Sequence, residues 1–125
     1  TDINLWTIAI LSIFHVIRVK EKGRYIESGG VERFKKEIHG KGLNYSAVIG
    51  YVQEQDFKYW EQQINSWIDQ LLAGQIPSAA TWEEKDRLVH EDVNTDIARY
   101  KSENAREQNS ITLFHLWVNM VKNDN

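Results

Sequence analysis

The chain has no cysteine and a single proline among its 125 residues. With no thiol there is neither a disulfide scaffold nor a thiolate metal site, and a reducing, cytoplasmic home is the compatible expectation. Long apolar runs are missing too. The longest uncharged stretch, Ile3 to Ile17, is interrupted by Asn4, Thr7, Ser12 and His15. It falls short of the roughly 20 apolar residues that a membrane span requires, so no membrane partner is expected. Asp2 and the bulky Ile13-Phe14 do not suit a signal peptide. The stretch reads instead as a buried strand or strand pair, with a buried helix as the weaker alternative. There is no Gly-rich phosphate loop, no Gly-x-Ser-x-Gly elbow and no recognised zinc spacing of His, Asp or Glu.

What is present is enough for one real core. Five Trp, five Tyr and four Phe, within a hydrophobic share of 42%, make disorder an unsuitable description and predict a single domain over residues 1–125. The formal net charge is −3, but it is unevenly spread. Arg18 to Lys41 holds eight basic residues against four acids, a local +4, which leaves −7 for the remainder. Such a basic block on an acidic body suits a phosphate-facing surface. An ordinary solvated helix face, its lysines balanced by interleaved glutamates, explains the same pattern.

Along the chain, Ser28-Gly29-Gly30 signals a turn, and Val31, Phe34 and Ile38 then recur at helical spacing. Gly40 and Gly42 stop that short helix. Ala47 to Gln53 is apolar and β-rich, and Gly50 within it predicts close approach of another backbone or a bulky neighbour. Asp56 caps the clearest element, a helix to Ala73 whose face is Phe57, Trp60, Ile64, Trp67, Ile68 and Leu71. Gly74 and Pro77 end it. Thr81, with Glu84, predicts a capped short helix in the charged stretch to Asp92. Asp96 to Ser102 is weakly strand-like, Ser102 to Ser110 reads as a polar loop, and Ile111 to Val121 as an interior strand. The order predicts an α/β fold, a mixed central sheet with flanking helices.

Several of these pieces carry a resemblance. Tyr25, the run Gly29-Gly30-Val31-Glu32-Arg33-Phe34 and the strand Ala47-Val48-Ile49-Gly50-Tyr51-Val52 fall in one order. Ser102-Glu103-Asn104-Ala105-Arg106 and Leu113-Phe114-His115-Leu116-Trp117 follow them. Over about residues 18 to 120 this is similar to uncharacterised bacterial proteins of the PD-(D/E)XK, restriction-endonuclease-like nuclease superfamily. The resemblance implies a nuclease fold from a defence or mobile-element locus. In that superfamily an acid followed by Glu-x-Lys on a strand holds Mg²⁺ and activates water. Here the strand before Tyr25 reads Phe14-His15-Val16-Ile17-Arg18-Val19-Lys20, with His15 and Ile17 at the positions of acid and lysine. Imidazole is a poor substitute for a carboxylate toward Mg²⁺, and Ile can do neither job. Asn104 stands where the resemblance prefers His.

The expectation is therefore a nuclease-like domain, incomplete or cut short at its N-terminal side and inactive alone, with no catalytic residue, no metal ligand and no cofactor. Mg²⁺ would enter only if activity survived through unusual ligands. The residual function would be binding of DNA or RNA through Arg18, Lys20, Lys22, Arg24, Lys35, Lys36 and Lys41, with Arg106 added by resemblance. A protein-interaction module, an immunity or assembly subunit or a homodimer, is the alternative. Glu83-Glu84-Lys85 is a literal Glu-x-Lys, but it belongs to a helix start, not a core strand. Arg33 to His39 fits an Arg-x-x-x-x-x-His ribonuclease pattern only superficially, since flanking strands oppose the all-α fold it comes from. His115 reads as a buried, hydrogen-bonded histidine rather than a ligand.

Overall fold

A computed structural model of the chain describes residues 4–8, 20–21, 24–25, 30–38, 40–78 and 80–122. The elements are β1 (Asn4–Ile8), β2 (Lys20–Glu21), β3 (Arg24–Tyr25), α1 (Gly30–Lys35), β4 (Tyr45–Val52), α2 (Phe57–Leu72), a 3-10 turn (Glu84–Asp86), β5 (Val89–Val93), β6 (Ile97–Ala105) and β7 (Ser110–Asn119). Five strands form one mixed sheet in the order β1-β4-β7-β6-β5. β1, β4 and β7 run parallel, while β6 and β5 continue antiparallel. β2 and β3 make a separate two-stranded ribbon. The chain is thus α/β with a mixed sheet, and β7 lies at its centre.

Strand alternation decides which side chains go inward. Val48 and Val52 of β4, Ile111, Leu113 and Trp117 of β7, and Ala98 and Tyr100 of β6 share one buried face. Onto that face α1 packs Val31 and Phe34, and α2 packs Phe57, Ile64, Ile68 and Leu71. Asp56 caps α2 as expected, its Oδ1 accepting from the Tyr59 N–H at 2.8 Å. Gly50 stands opposite Trp117 in the register, the second of the two neighbours its position allowed. Both helices bury their apolar side chains on this one face. The opposite face carries Tyr45, Phe114, Ile97, Lys101 and Glu103, all exposed or half-buried.

The structure corrects several local expectations. Ile38 does not extend the α1 face: Glu37 takes a positive φ of 59°, the helix ends at Lys35, and Ile38 is left 48% exposed. Lys35, expected on the solvent side, is buried instead. Trp60 and Trp67 pack against the core as part of the expected α2 face, though only partly buried, while Phe57, Ile64, Ile68 and Leu71 are buried. The capping box lies two residues later than expected, on Glu83 and Asp86, and closes only a 3-10 turn. The charged stretch after it forms β5, and β6 continues through Ala105 where a loop was expected. β5 is exposed along its length, so its composition carries no apolar alternation to announce it. Of the run Ile3 to Ile17, only β1 falls among the described residues.

The turn after α1 depends on Gly40, at φ +65°. A Cβ there would meet a Phe34 ring carbon and Ser46 Oγ at 3.3 Å, and Ile111 Cδ1 at 3.4 Å. Left-handed backbone costs an L-residue about 1–2 kcal/mol before any crowding. Gly42, at φ +76°, has open space around it. Gly40→Ala should therefore destabilise by about 2–3 kcal/mol and Gly42→Ala by about 1 kcal/mol, read from urea midpoints. Equal losses would show that the packing around Gly40 plays no part.

Candidate functional site

The basic residues singled out by the sequence separate into three groups. Lys36 and Lys41 are exposed, one just past the end of α1 and the other in the turn that follows. Lys20 and Arg24 belong to the β2–β3 ribbon, where Lys20 pairs with Tyr25 and Arg24 with Glu21. Arg18 and Lys22 lie outside the described residues, as do Asp2, His15, Ile17 and His39. Lys35 and Arg106 point inward, and this corrects their assignment as phosphate contacts.

Lys35 is 4% exposed. Its ammonium donates to Asp86 Oδ1 at 2.6 Å and sits 4.4 Å over the Trp82 ring. Asp86 is equally occupied: Oδ1 also accepts from the Ala105 N–H at 3.2 Å, and Oδ2 from the Glu83 N–H at 2.7 Å. Burial pushes the Lys35 ammonium below the usual lysine range, against the opposing pull of Asp86. The same burial pushes the Asp86 carboxyl up, against the pull of Lys35 and the backbone donors. Beside this pair, Ser78 Oγ donates to Glu32 Oε2 at 2.6 Å and accepts from Trp82 Nε1 at 2.9 Å.

Arg106, 7% exposed, is spent on backbone. Nε donates to Phe34 O at 2.8 Å, Nη1 to Leu43 O at 3.0 Å and Nη2 to Gly40 O at 3.0 Å. Glu37 Oε1 stands 3.7 Å from Nη1. A guanidinium has five donors in a rigid fork, so one side chain satisfies carbonyls spread over the end of α1 and its turn. Arg106 thus ties the end of α1 to the turn that follows it, and Lys35 is held inward by Asp86.

A third polar cluster joins β6 to β7. Ser102 Oγ and His115 Nε2 are 2.8 Å apart, and Asn104 Nδ2 donates to Ser102 Oγ at 2.9 Å. A serine beside an imidazole is the opening of a nucleophile–base pair. Here Ser102 is 2% and His115 1% exposed, so no substrate reaches them. Their chemistry is the satisfaction of buried polar groups. Asn104, at the position where the resemblance prefers His, supports this network from within.

The literal Glu-x-Lys lies on the surface. Glu83 caps the 3-10 turn, and Lys85 Nζ donates to Ser110 Oγ at 2.6 Å. Among the described residues no group of three or more His, Asp or Glu could hold a metal ion, and no helix is long and apolar enough to cross a membrane. Sequence reasoning missed Asp86 and Ser102. The signal for Asp86 was a capping pattern read two residues too early, and Ser102 carried none beyond its place in the motif that bears the resemblance. Comparison with known proteins finds no matching family model, curated protein or solved structure.

Proposed function

We propose that this chain is a restriction-endonuclease-like domain of the PD-(D/E)XK type that has lost its catalytic triplet and retains weak nucleic-acid binding. A bacterial defence or mobile-element locus suits such a domain. The observation that carries the binding half is the presentation of Lys36 and Lys41 on a segment whose backbone carbonyls Arg106 holds in place. Cations on a pre-organised turn meet phosphate without first losing the freedom of a loose loop. The ribbon residues Lys20 and Arg24 extend the same basic stretch along the sequence. The mixed sheet, with α2 following β4 and leading through the 3-10 turn to β5, is compatible with the nuclease half.

Phosphate contacts release condensed counterions, about −0.9 in the slope of log affinity against log salt for each contact on duplex DNA. With Lys36, Lys41 and one or two further cations engaged, the expected slope is about −3, with binding in the micromolar range or weaker at physiological salt. Reversal of both exposed lysines, Lys36→Glu with Lys41→Glu, should reduce the slope by about two units and leave the melting temperature unchanged. Fluorescence anisotropy on a short duplex at several salt concentrations measures it. Absence of binding at low salt, or a slope indifferent to the reversals, would remove the nucleic-acid reading. The same preparation should not cleave plasmid or RNA with Mg²⁺ or Mn²⁺. Cleavage abolished by His15→Ala would restore a nuclease with unusual ligands.

A further inference from the structure

The face of the sheet turned away from both helices has a composition of its own. Tyr45 is 48% and Phe114 37% exposed, and their rings lie nearly parallel, 18° apart in plane, with centroids 6.4 Å apart. Exposed Val89 and Ile97 extend the apolar area along β5 and β6. Adjacent exposed apolar side chains of this size mark interaction surfaces on soluble domains.

Strand register fixes the order of side chains on that face. One row across the sheet reads Lys101, Phe114, Ala47, because Lys101 pairs with Phe114 and Ala47 with Phe114. The next row reads Glu103, Thr112, Tyr45. Each row carries what the other lacks. Lys101 faces the column of Glu103, large Phe114 that of small Thr112, and small Ala47 that of large Tyr45.

We propose that this face pairs with the same face of a second copy of the chain. A twofold axis lying in the interface, perpendicular to the strands and between the two rows, keeps each strand over its own counterpart and exchanges the rows. Lys101 then meets Glu103 of the other copy, Phe114 sits over Thr112, and Tyr45 over Ala47. One operation matches a charge pair and two large-to-small packings, which is the self-complementarity an isologous interface needs. Face-to-face sheets cross at about 30°, and the displacement this causes is small near an axis passing through the central strand β7. Four strands at about 4.8 Å spacing and eight residues at about 3.4 Å give roughly 500 Å² of projected face per copy, the low end for a specific interface. A reversible dimer follows, of roughly micromolar affinity. Equal numbers of cations and acids in the two rows favour a second copy over a polyanion. This pairing does not depend on the proposed nucleic-acid surface, whose exposed lysines lie just past α1 and in the turn that follows it.

Sedimentation velocity of the full chain from about 1 to 300 µM tests the proposal, bracketing that affinity range. A monomer–dimer equilibrium is expected. Within one copy Lys101 Nζ already lies 3.7 Å from Glu103 Oε1, so Lys101→Glu and Glu103→Lys each set like charges together both in the copy and across the axis, and each should weaken the dimer at least about tenfold. The double variant, Lys101→Glu with Glu103→Lys, should restore it. Both side chains are 44% exposed, so melting temperatures should stay near that of the parent and separate loss of pairing from loss of fold. Phe114→Ala should also weaken the dimer. A chain that stays monomeric throughout, or a dimer untouched by the single reversals or not rescued by the double, overturns the assignment. So does a monomer that binds single-stranded DNA in a Phe114-dependent way, which would make the face a stacking platform for bases instead.

Discussion

Asp86→Ala is expected to destabilise the domain by about 3–5 kcal/mol, the cost of breaking a buried ion pair from one side. The loss is concentrated because one carboxylate serves three donors: the Lys35 ammonium and the N–H groups of Glu83 and Ala105. Removing it strands a buried cation against Trp82 and leaves two backbone donors without an acceptor. Lys35→Met should cost less, about 1–3 kcal/mol. Its stem is replaced in kind, and Asp86 keeps both backbone donors. Chemical denaturation of the two variants measures the asymmetry, and equal losses would refute it.

The pH dependence follows from the same pair. Asp86 has a raised folded value, so its favourable contribution is present below the ordinary carboxylate range and is lost as pH rises through that raised value. Lys35 has a lowered folded value, so its contribution is present above the ordinary lysine range and is lost as pH falls through the lowered one. Burial disfavours charge on both groups, and each is tolerable in its charged form because the other is there. Lys35→Met removes that compensation from Asp86. Its deficit against the parent should therefore shrink on acidification, because without the lysine Asp86 takes up a proton more readily than in the parent. A deficit that instead grew on acidification would show that the carboxylate is stabilised without its lysine.

The architecture was legible because its strongest patterns are long and apolar. β4, α2 and β7 carry enough periodic side chains to announce themselves, and their order already implies a mixed sheet with a helix on it. β5 was illegible for the opposite reason: Val89-His90-Glu91-Asp92-Val93 is an exposed edge, and an edge strand is held by backbone pairing to β6 rather than by a buried face. The site was legible only as charge. Lys35 and Lys36 are neighbours in a basic run, and nothing local distinguishes them. What separates them is Asp86, distant in sequence and brought alongside by the 3-10 turn. Helical spacing alone places Lys35 beside Val31, and a buried acid waiting across the core turns that position inward. Arg106 follows the same rule, since the carbonyls it holds exist as a cluster only after α1 has ended and turned.

Arg106→Ala should lower stability by at least about 3 kcal/mol, since the carbonyls of Phe34, Gly40 and Leu43 lose a charged donor together. Arg106→Lys should recover only a small part. An ammonium is a compact charge on a flexible stem and cannot reproduce the spread of a planar fork across three acceptors. The effect on nucleic-acid affinity then discriminates two roles. If Arg106 touched phosphate, Arg106→Lys would keep its charge and hold the salt slope with little loss of stability. As a positioning residue it does the reverse: the charge is retained, the fold is weakened, and affinity falls with the disorder of the turn carrying Lys36 and Lys41. Urea melts and salt-dependent anisotropy on the same preparations give both readouts. The expected pattern for Arg106→Lys is a melt midpoint well below that of the parent, while Lys36→Glu and Lys41→Glu leave the midpoint alone and change the slope. An Arg106→Lys variant as stable as the parent would return Arg106 to the surface role that its place in the sequence first suggested.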